Sequence, residues 1–349
     1  ACGRALARAG RETLVVEQHR RIGEETSSRN SGVIHSGIYY PKDSLKARLC
    51  LRGKQMIYEY CEEKRIAHSR CGKLLIASEE QLPQLKRLHA QGLENGVSGL
   101  EWLSAGETMA LEPEVQCAAA VFSSSTGIVD VHELMLALLG DLEADGGMLA
   151  LDSVVSRMQP TAQGIEVDVV SDGEITPLLA RRVVNAAGLS AIALLHRIEG
   201  YPRAQIPIQH LAKGNYFSCS PKPFRHLVYP MPDEAGLGIH ATLDLDGSVR
   251  FGPDVEWVDG LDYDVDPARS EAFYAAIRAY WPGLRDGELQ PAYAGIRTKL
   301  VGPGQQAADF RIEGSGHHGV AGLVNLLGIE SPGLTAVLAI AERVAELSE

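Results

Sequence analysis

The sequence predicts an α/β domain cut into pieces by an inserted α+β domain built on a mainly antiparallel sheet. Three observations predict it. Residues 1–17 read as a helix, a glycine turn and an apolar strand closed by Glu17. Strand-then-turn patterns of the same kind recur at 182–188 and at 319–349, the last running into a helix. Between them, 206–257 is a succession of short strand-like segments. The α/β domain is therefore assigned to 1–43, 121–200 and 291–349, and the inserted domain to 44–120 and 201–290. An insertion of this kind returns to the core it left.

The elements follow in order. Leu6 and small residues mark a helix stopped by Gly10, and the chain begins inside it, so a strand and tight turn are expected to precede Ala1. Residues 13–17 form an apolar strand ending in an acid, the second half of a dinucleotide-binding βαβ unit, in which that acid accepts hydrogen bonds from a ribose. Strand-end acids also arise by chance in α/β proteins. A Ser/Gly-rich stretch follows, with Thr26, Ser27, Ser28, Asn30 and Ser31, whose small side chains let backbone N–H groups approach an anion; a plain surface loop has the same composition. Helical spacing covers 44–61, a short strand 72–77, charged helix 79–94 and helix 131–145. Residues 149–157 make a strand, and 165–170 with 175–179 make a hairpin around Ser171-Asp172-Gly173. Strand 182–188 ends in Ala186, Ala187 and Gly188, small enough for a ligand to lie against its carboxyl end or for tight strand–helix packing. A helix over 267–280 and a strand over 293–297 lead to the last strand and to Ser331-Pro332-Gly333, where Ser331 caps a helix with Pro332 in its first position.

Composition narrows the function. A net charge of −12 excludes a nucleic-acid surface, which needs clustered Lys and Arg, and requires any anionic substrate to be met by a few local cations. Six cysteines without paired spacing point to a reducing compartment, and no metal site is expected, His317-His318 having no third ligand at suitable spacing. No apolar run reaches the roughly 18 residues of a membrane span, and no signal peptide is visible. The expected location is cytoplasmic, with a peripheral contact at the inner membrane left open.

Three blocks carry a specific resemblance. The first is Glu17 followed by Gly23, then Thr26-Ser27-Ser28-Arg29-Asn30-Ser31-Gly32-Val33-Ile34-His35-Ser36-Gly37-Ile38-Tyr39-Tyr40-Pro41 and Ser44-Leu45-Lys46-Ala47-Arg48-Leu49-Cys50. The second is Tyr229-Pro230-Met231-Pro232 with Gly236-Leu237-Gly238-Ile239-His240, and the third is Asn325-Leu326-Leu327-Gly328-Ile329-Glu330-Ser331-Pro332-Gly333-Leu334-Thr335. Together they resemble the L-2-hydroxyglutarate dehydrogenases of the FAD-dependent, D-amino-acid-oxidase-like superfamily. The resemblance implies a Rossmann-like FAD domain of glutathione-reductase type and oxidation of L-2-hydroxyglutarate to 2-oxoglutarate, hydride passing to flavin N5. The family's glycine-rich phosphate turn would lie before Ala1. FAD contacts are expected from Glu17, Thr26, Ser27, Ser28, Asn30, Ser31, Val155, Ala186, Ala187, Gly188, Gly295, Gly328, Ile329, Glu330, Ser331, Gly333 and Leu334. The N–H groups of the last helix would face the flavin pyrimidine carbonyl.

A 2-hydroxy acid needs a base for its hydroxyl proton and cations for its carboxylates. His240 is the first candidate base and His35 the second. Arg297 is the best C1 carboxylate clamp, because its rigid fork binds a carboxylate bidentately. Lys213 and Tyr216 are candidates for the distal carboxylate, the alternative for Lys213 being a place near the flavin; Tyr39 and Tyr40 are candidates for closing the pocket and equally for ordinary aromatic packing. The electron acceptor, oxygen or a quinone, is open. So are two rivals: a related flavoenzyme acting on an amino acid, sarcosine or glycerol 3-phosphate, and a non-catalytic flavin-binding protein.

Overall fold

The computed structural model describes residues 1–231 and 238–348. Pro232, Gly236 and Leu237 of the second block lie outside the described residues. The chain divides into two compact units, Ala1–Ser28 with Val131–His210 and Arg297–Glu349, and Arg29–Asp130 with Leu211–Ile296. The division falls elsewhere than the sequence pattern put it, most clearly for 29–43 and 121–130. These belong to the second unit because Val33–Ile34 and His68–Ser69 flank Gly127–Val129 in one three-stranded antiparallel sheet.

In the first unit, strand Leu14–Val16 pairs in parallel with Met148–Ala150. Helix Cys2–Arg8 packs so closely on the first of these strands that a Cβ on Gly3 would sit 2.7 Å from Val15 Cγ2. Strand Val183–Asn185 runs parallel to Leu323–Leu327, and Arg311–Glu313 is antiparallel on the latter's other side. Parallel pairing in register makes 186–188 and 328–333 emerge at the same edge, where α/β sheets receive ligands. The buried Asn185 amide ties this edge together, donating to Ala191 O (2.9 Å) and Asn325 Oδ1 (3.2 Å). The expected hairpin belongs to a meander of Ser153–Thr161, Gly164–Ser171 and Glu174–Ala180. Its turn residues Asp172 and Gly173 both have positive φ, 52° and 81°, as a two-residue hairpin turn of the right twist requires. Met158, Ile165, Leu195, Ile198, Leu323 and Leu327 form this unit's core.

The second unit is built on a nine-stranded mixed sheet. Its parallel contact joins Lys73–Ala77 to Leu227–Pro230; the other registered pairs in this sheet are antiparallel. Strands Leu100–Ser104 and Ala119–Ser123, unread in the sequence, owe their state to pairing with each other and with Lys73–Ala77 rather than to local pattern. Helix Leu45–Lys64 starts where Ser44 Oγ accepts the Ala47 N–H (3.1 Å) and stops at Arg65, in the left-handed region at φ 57°. Leu74, Ile76, Phe217, Val228, Phe251, Phe273 and Trp281 anchor the core, each large apolar side chain contributing about 1.5–3 kcal/mol on burial.

Candidate functional site

In the first unit, the candidate dinucleotide residues gather at strand ends. The Glu17 N–H continues the parallel ladder by donating to Ala150 O (2.8 Å), and its Oε1 accepts the His19 N–H (2.9 Å). Among the described residues Oε2 accepts nothing, so one carboxylate oxygen is fixed and the other is available to an incoming donor such as a ribose hydroxyl. Ala186 and Ala187 are exposed, and a Cβ on Gly188, at φ 54°, would meet nothing within 4 Å: the strand ends on an open ledge of small residues. Gly328 turns at φ 66° against Leu300, whose Cδ1 would lie 2.7 Å from an added Cβ. Ile329 packs on Gly333, and Glu330 is held by Lys299 (2.8 Å).

Helix Gly333–Leu347 begins one residue later than the sequence suggests. Pro332 is its N-cap, with the Ala336 N–H bonded to Pro332 O (2.9 Å), and Ser331 is exposed and does not cap it. Among the described residues the N-cap makes no side-chain hydrogen bond, and the first turn of the helix lies around half-buried Leu334. Other candidates are committed within the fold. Ser28 turns back on Glu25 O (3.3 Å from its N–H), Thr26 is half-buried and Ser27 exposed. Val155 pairs with Val169, and its carbonyl accepts from Arg197 (2.6 Å).

Asn30 and Ser31 belong to the second unit. Asn30 Oδ1 accepts the Gly32 N–H (2.9 Å), Asn30 O accepts from Tyr293 OH (2.7 Å), and Ser31 Oγ bonds Tyr216 OH (2.9 Å). Tyr216 and Tyr293 stack at 4.5 Å and 10°. Gly295 is a close-approach glycine rather than an open ledge, since a Cβ there would lie 2.2 Å from Arg29 O. Tyr40 O is fixed by Gln91 (3.0 Å) and Asn95 (2.8 Å), which pins the loop carrying Tyr39.

The chemical centre of this unit is a buried cluster that includes a residue the sequence reading missed. Lys73, the first residue of its strand, is 0% exposed, and among the described residues its Nζ has no hydrogen-bond partner. It lies between two aromatic faces, 4.6 Å from the Tyr39 ring centre and 4.7 Å from that of Tyr229. Burial pushes its ammonium down to about 7, with nearby Cys50 pulling slightly the other way. The second face of Tyr229 is covered by His240, stacked at 3.6 Å and 9°. His35 is half-buried with Nδ1 sealed from solvent; desolvation first, and the Lys73 charge second, hold its imidazole down at about 3. The Cys50 thiol donates to His35 O (3.5 Å), and its pKa is raised by burial to about 12. Burial also raises the phenols of Tyr39 and Tyr229 above their ordinary value. Tyr39, from the segment that also carries His35, and Tyr229 with His240, much further along the chain, thus meet around one buried amine.

The two predicted cations fare differently. Arg297, on strand Gln290–Lys299, is half-buried, and no carboxylate pairs with it among the described residues. Lys213, expected to bind the distal carboxylate with Tyr216, is instead satisfied by Asp262 Oδ2 (3.0 Å) and Asp264 O (2.5 Å). The strand repeat explains it: Lys213 and Tyr216 stand three residues apart on His210–Cys219 and so point to opposite faces. No group of acidic, histidine or cysteine side chains suited to a metal exists among the described residues, and no helix there is long and apolar enough to cross a membrane.

The FAD dependent oxidoreductase family matches residues 1–347. The mitochondrial L-2-hydroxyglutarate dehydrogenase of Arabidopsis thaliana is 43% identical over 388 residues, covering 99% of this chain and 80% of that protein. L-2-hydroxyglutarate dehydrogenase of Salmonella houtenae is 31% identical, covering 81% and 75%. Among solved structures, L-α-glycerophosphate oxidase of Mycoplasma pneumoniae with FAD bound superposes with a TM-score of 0.84 at 24% identity over 99% of this chain and 91% of that one. Glycine oxidase of Geobacillus kaustophilus gives 0.82 at 20% identity over 99% and 90%. These two similarities concern the fold. The family match over residues 1–347 and the 43% identity to the Arabidopsis protein show that the chain belongs to the FAD dependent oxidoreductase family, and within it is kin to the L-2-hydroxyglutarate dehydrogenases.

Proposed function

We propose that the chain oxidises L-2-hydroxyglutarate to 2-oxoglutarate with FAD. The kinship over nearly the whole chain supports the substrate, and the buried cluster of Lys73, Tyr39, Tyr229 and His240 is the observation that supports the chemistry. FAD, when bound, supplies the acceptor for the hydride leaving C2. The Rossmann-like first unit would hold it through Glu17 at the ribose, Ala186–Gly188 and Gly328–Gly333 along its length, and the N-terminus of helix Gly333–Leu347 at the pyrimidine edge.

The chain's own groups do the rest. His240, stacked on Tyr229, and His35, whose carbonyl accepts from the Cys50 thiol, are the candidate proton acceptors for the C2 hydroxyl. Arg297, with no carboxylate paired to it among the described residues, clamps the C1 carboxylate through two parallel N–H···O bonds. Tyr39 closes over the site. All six cysteines are free thiols, in keeping with a reducing compartment such as the cytoplasm. Anaerobic mixing of the purified holoenzyme with L-2-hydroxyglutarate should bleach the flavin absorption and yield 2-oxoglutarate. Bleaching by glycerol 3-phosphate or an amino acid alone would transfer the reading to a related oxidase, and a flavin that no panel member reduces would make the chain non-catalytic. Reoxidation by oxygen against that by a quinone analogue identifies the acceptor.

A further inference from the structure

Lys299 has no task in the function proposed above, yet in a chain of net charge −12 it is a cation held inside the fold. It closes strand Gln290–Lys299, two residues after Arg297, so the period of two puts both side chains on one face of the strand. Lys299 Nζ donates to Glu330 Oε2 at 2.8 Å, and the two side chains keep only 18% and 10% of their surface in contact with water. An exposed pair contributes little to stability, whereas a pair buried this deeply is costly to assemble and costly to break. The next residue, Leu300, backs Gly328, where an added Cβ would lie 2.7 Å from Leu300 Cδ1. Two consecutive residues at one strand end thus hold the loop 328–333 at two points.

That loop is where the proposed function puts the pyrimidine edge of the flavin. Glu330 stands three residues before Gly333, which opens the 15-residue helix Gly333–Leu347. Its backbone is pinned on both sides, the Glu330 N–H donating to Gly328 O (3.0 Å) and the Glu330 carbonyl accepting the Gly333 N–H (2.5 Å). A carboxylate at this end of a helix is favoured by the helix itself. For a cofactor that must accept electrons there, the same carboxylate is unfavourable, because its charge opposes the negative charge that reduction brings, whereas a cation assists it. A mostly buried ion pair satisfies both conditions, since its two charges offset each other at the flavin.

We propose that Lys299 is a positioning residue for the flavin: by pairing with Glu330 it holds the loop 328–333, cancels the carboxylate on it, and so sets the reduction potential of the bound cofactor. This rests on the flavin placement in the function proposed above and not on the identity of the substrate. The two charges have opposite consequences. Without Lys299, Glu330 turns an uncompensated charge toward the pyrimidine edge and the flavin is harder to reduce. Without Glu330, the unopposed ammonium makes reduction easier, and removal of both residues restores the balance. A pair that only braced the loop would behave otherwise: either single change would loosen it alike, weakening FAD binding without moving the potential in opposite directions.

Holoenzyme of the wild type, Lys299→Met, Glu330→Gln and the double variant is reduced anaerobically in equilibrium with a reference dye, without substrate, and the flavin midpoint is read from the absorption of flavin and dye. FAD retention on gel filtration is measured alongside. The expected result is a midpoint lowered in Lys299→Met by about tenfold in the reduction equilibrium, about 30 mV for two electrons. Glu330→Gln should raise it by a similar amount, and the double variant should return close to the wild type. Single variants that leave the midpoint in place, or move it in one direction, overturn the proposal. Opposite shifts in a holoenzyme that L-2-hydroxyglutarate does not reduce uphold it and remove the substrate assigned above. Unmoved midpoints in an enzyme that turns over L-2-hydroxyglutarate do the reverse, and a wild type that binds no FAD ends both. Should Lys299→Met lose its flavin, Lys299→Gln, uncharged but still able to donate to Glu330, carries the same comparison with the same outcomes.

Discussion

Replacing Lys73 with methionine should make the protein more stable at neutral pH. The amine is 0% exposed and its pKa falls from 10.5 to about 7 because burial disfavours the charged form. The sign follows from proton counting. Between pH 7 and 10.5 the unfolded chain holds a proton on Lys73 that the folded chain has released, so unfolding takes up a proton and stability rises with pH. The destabilisation is fully developed below pH 7 and disappears as pH rises through 10.5. The difference corresponds to roughly 5 kcal/mol. Attraction of the ammonium to the Tyr39 and Tyr229 rings, about 0.5–2 kcal/mol each, opposes it, leaving roughly 1–4 kcal/mol at pH 7. Methionine fills nearly the same space with a flexible apolar chain. The assay is urea unfolding followed by tryptophan fluorescence, which reports the second unit alone because Trp102, Trp257 and Trp281 all lie in it. Wild type should gain about 1.4 kcal/mol per pH unit relative to Lys73→Met between pH 8 and 10. A variant less stable than wild type at pH 7, with a parallel pH dependence, would mean that the ammonium has a compensating partner, and the argument would fail.

Further outcomes follow from the site. Arg297→Lys keeps the charge but loses the fork, so kcat/KM for L-2-hydroxyglutarate in anaerobic stopped-flow should fall by about 10–150-fold, the equivalent of one charge-assisted hydrogen bond; an unchanged value would remove Arg297 from the substrate's carboxylate. Since no carboxylate among the described residues depends on Arg297, the variant's melting temperature should stay within the range of a surface substitution. Lys213→Met should leave KM nearly unaltered and lower stability instead, because Asp262 and the Asp264 carbonyl lose a donor that is itself almost wholly buried; a large KM effect with normal stability would restore Lys213 to substrate binding. Gly295→Ala places a methyl group 2.2 Å from Arg29 O, and the strand must shift to relieve it. The expected loss is about 1–3 kcal/mol in the same fluorescence assay, and a neutral result would show that this strand moves freely.

The residues that could be read from the sequence and those that could not differ in where their environment comes from. His35, Tyr39 and Tyr40 stand in one continuous segment whose small and hydroxyl residues already mark an unusual backbone, and Glu17 announces itself by ending an apolar strand. The hairpin at Asp172-Gly173 was legible because two consecutive positive φ values are demanded by the turn itself. Lys73 had no such local sign: in Gly72-Lys73-Leu74-Leu75-Ile76 it reads as the wet end of a strand, and only the strands contributed from around residues 123 and 227 enclose it. The domain limits slipped for the same reason, since residues 33–34 reach the second unit through a partner at 127–129. Lys213 is the opposite case. The alternation of a strand places it and Tyr216 on opposite faces, and that argument needed no structure, only the period of two applied to a strand already recognised. Charge and sequence position do not distinguish a lysine spent on Asp262 from one kept without an acceptor among the described residues. Burial decides that, and burial is the sum of contacts from segments more than a hundred residues apart.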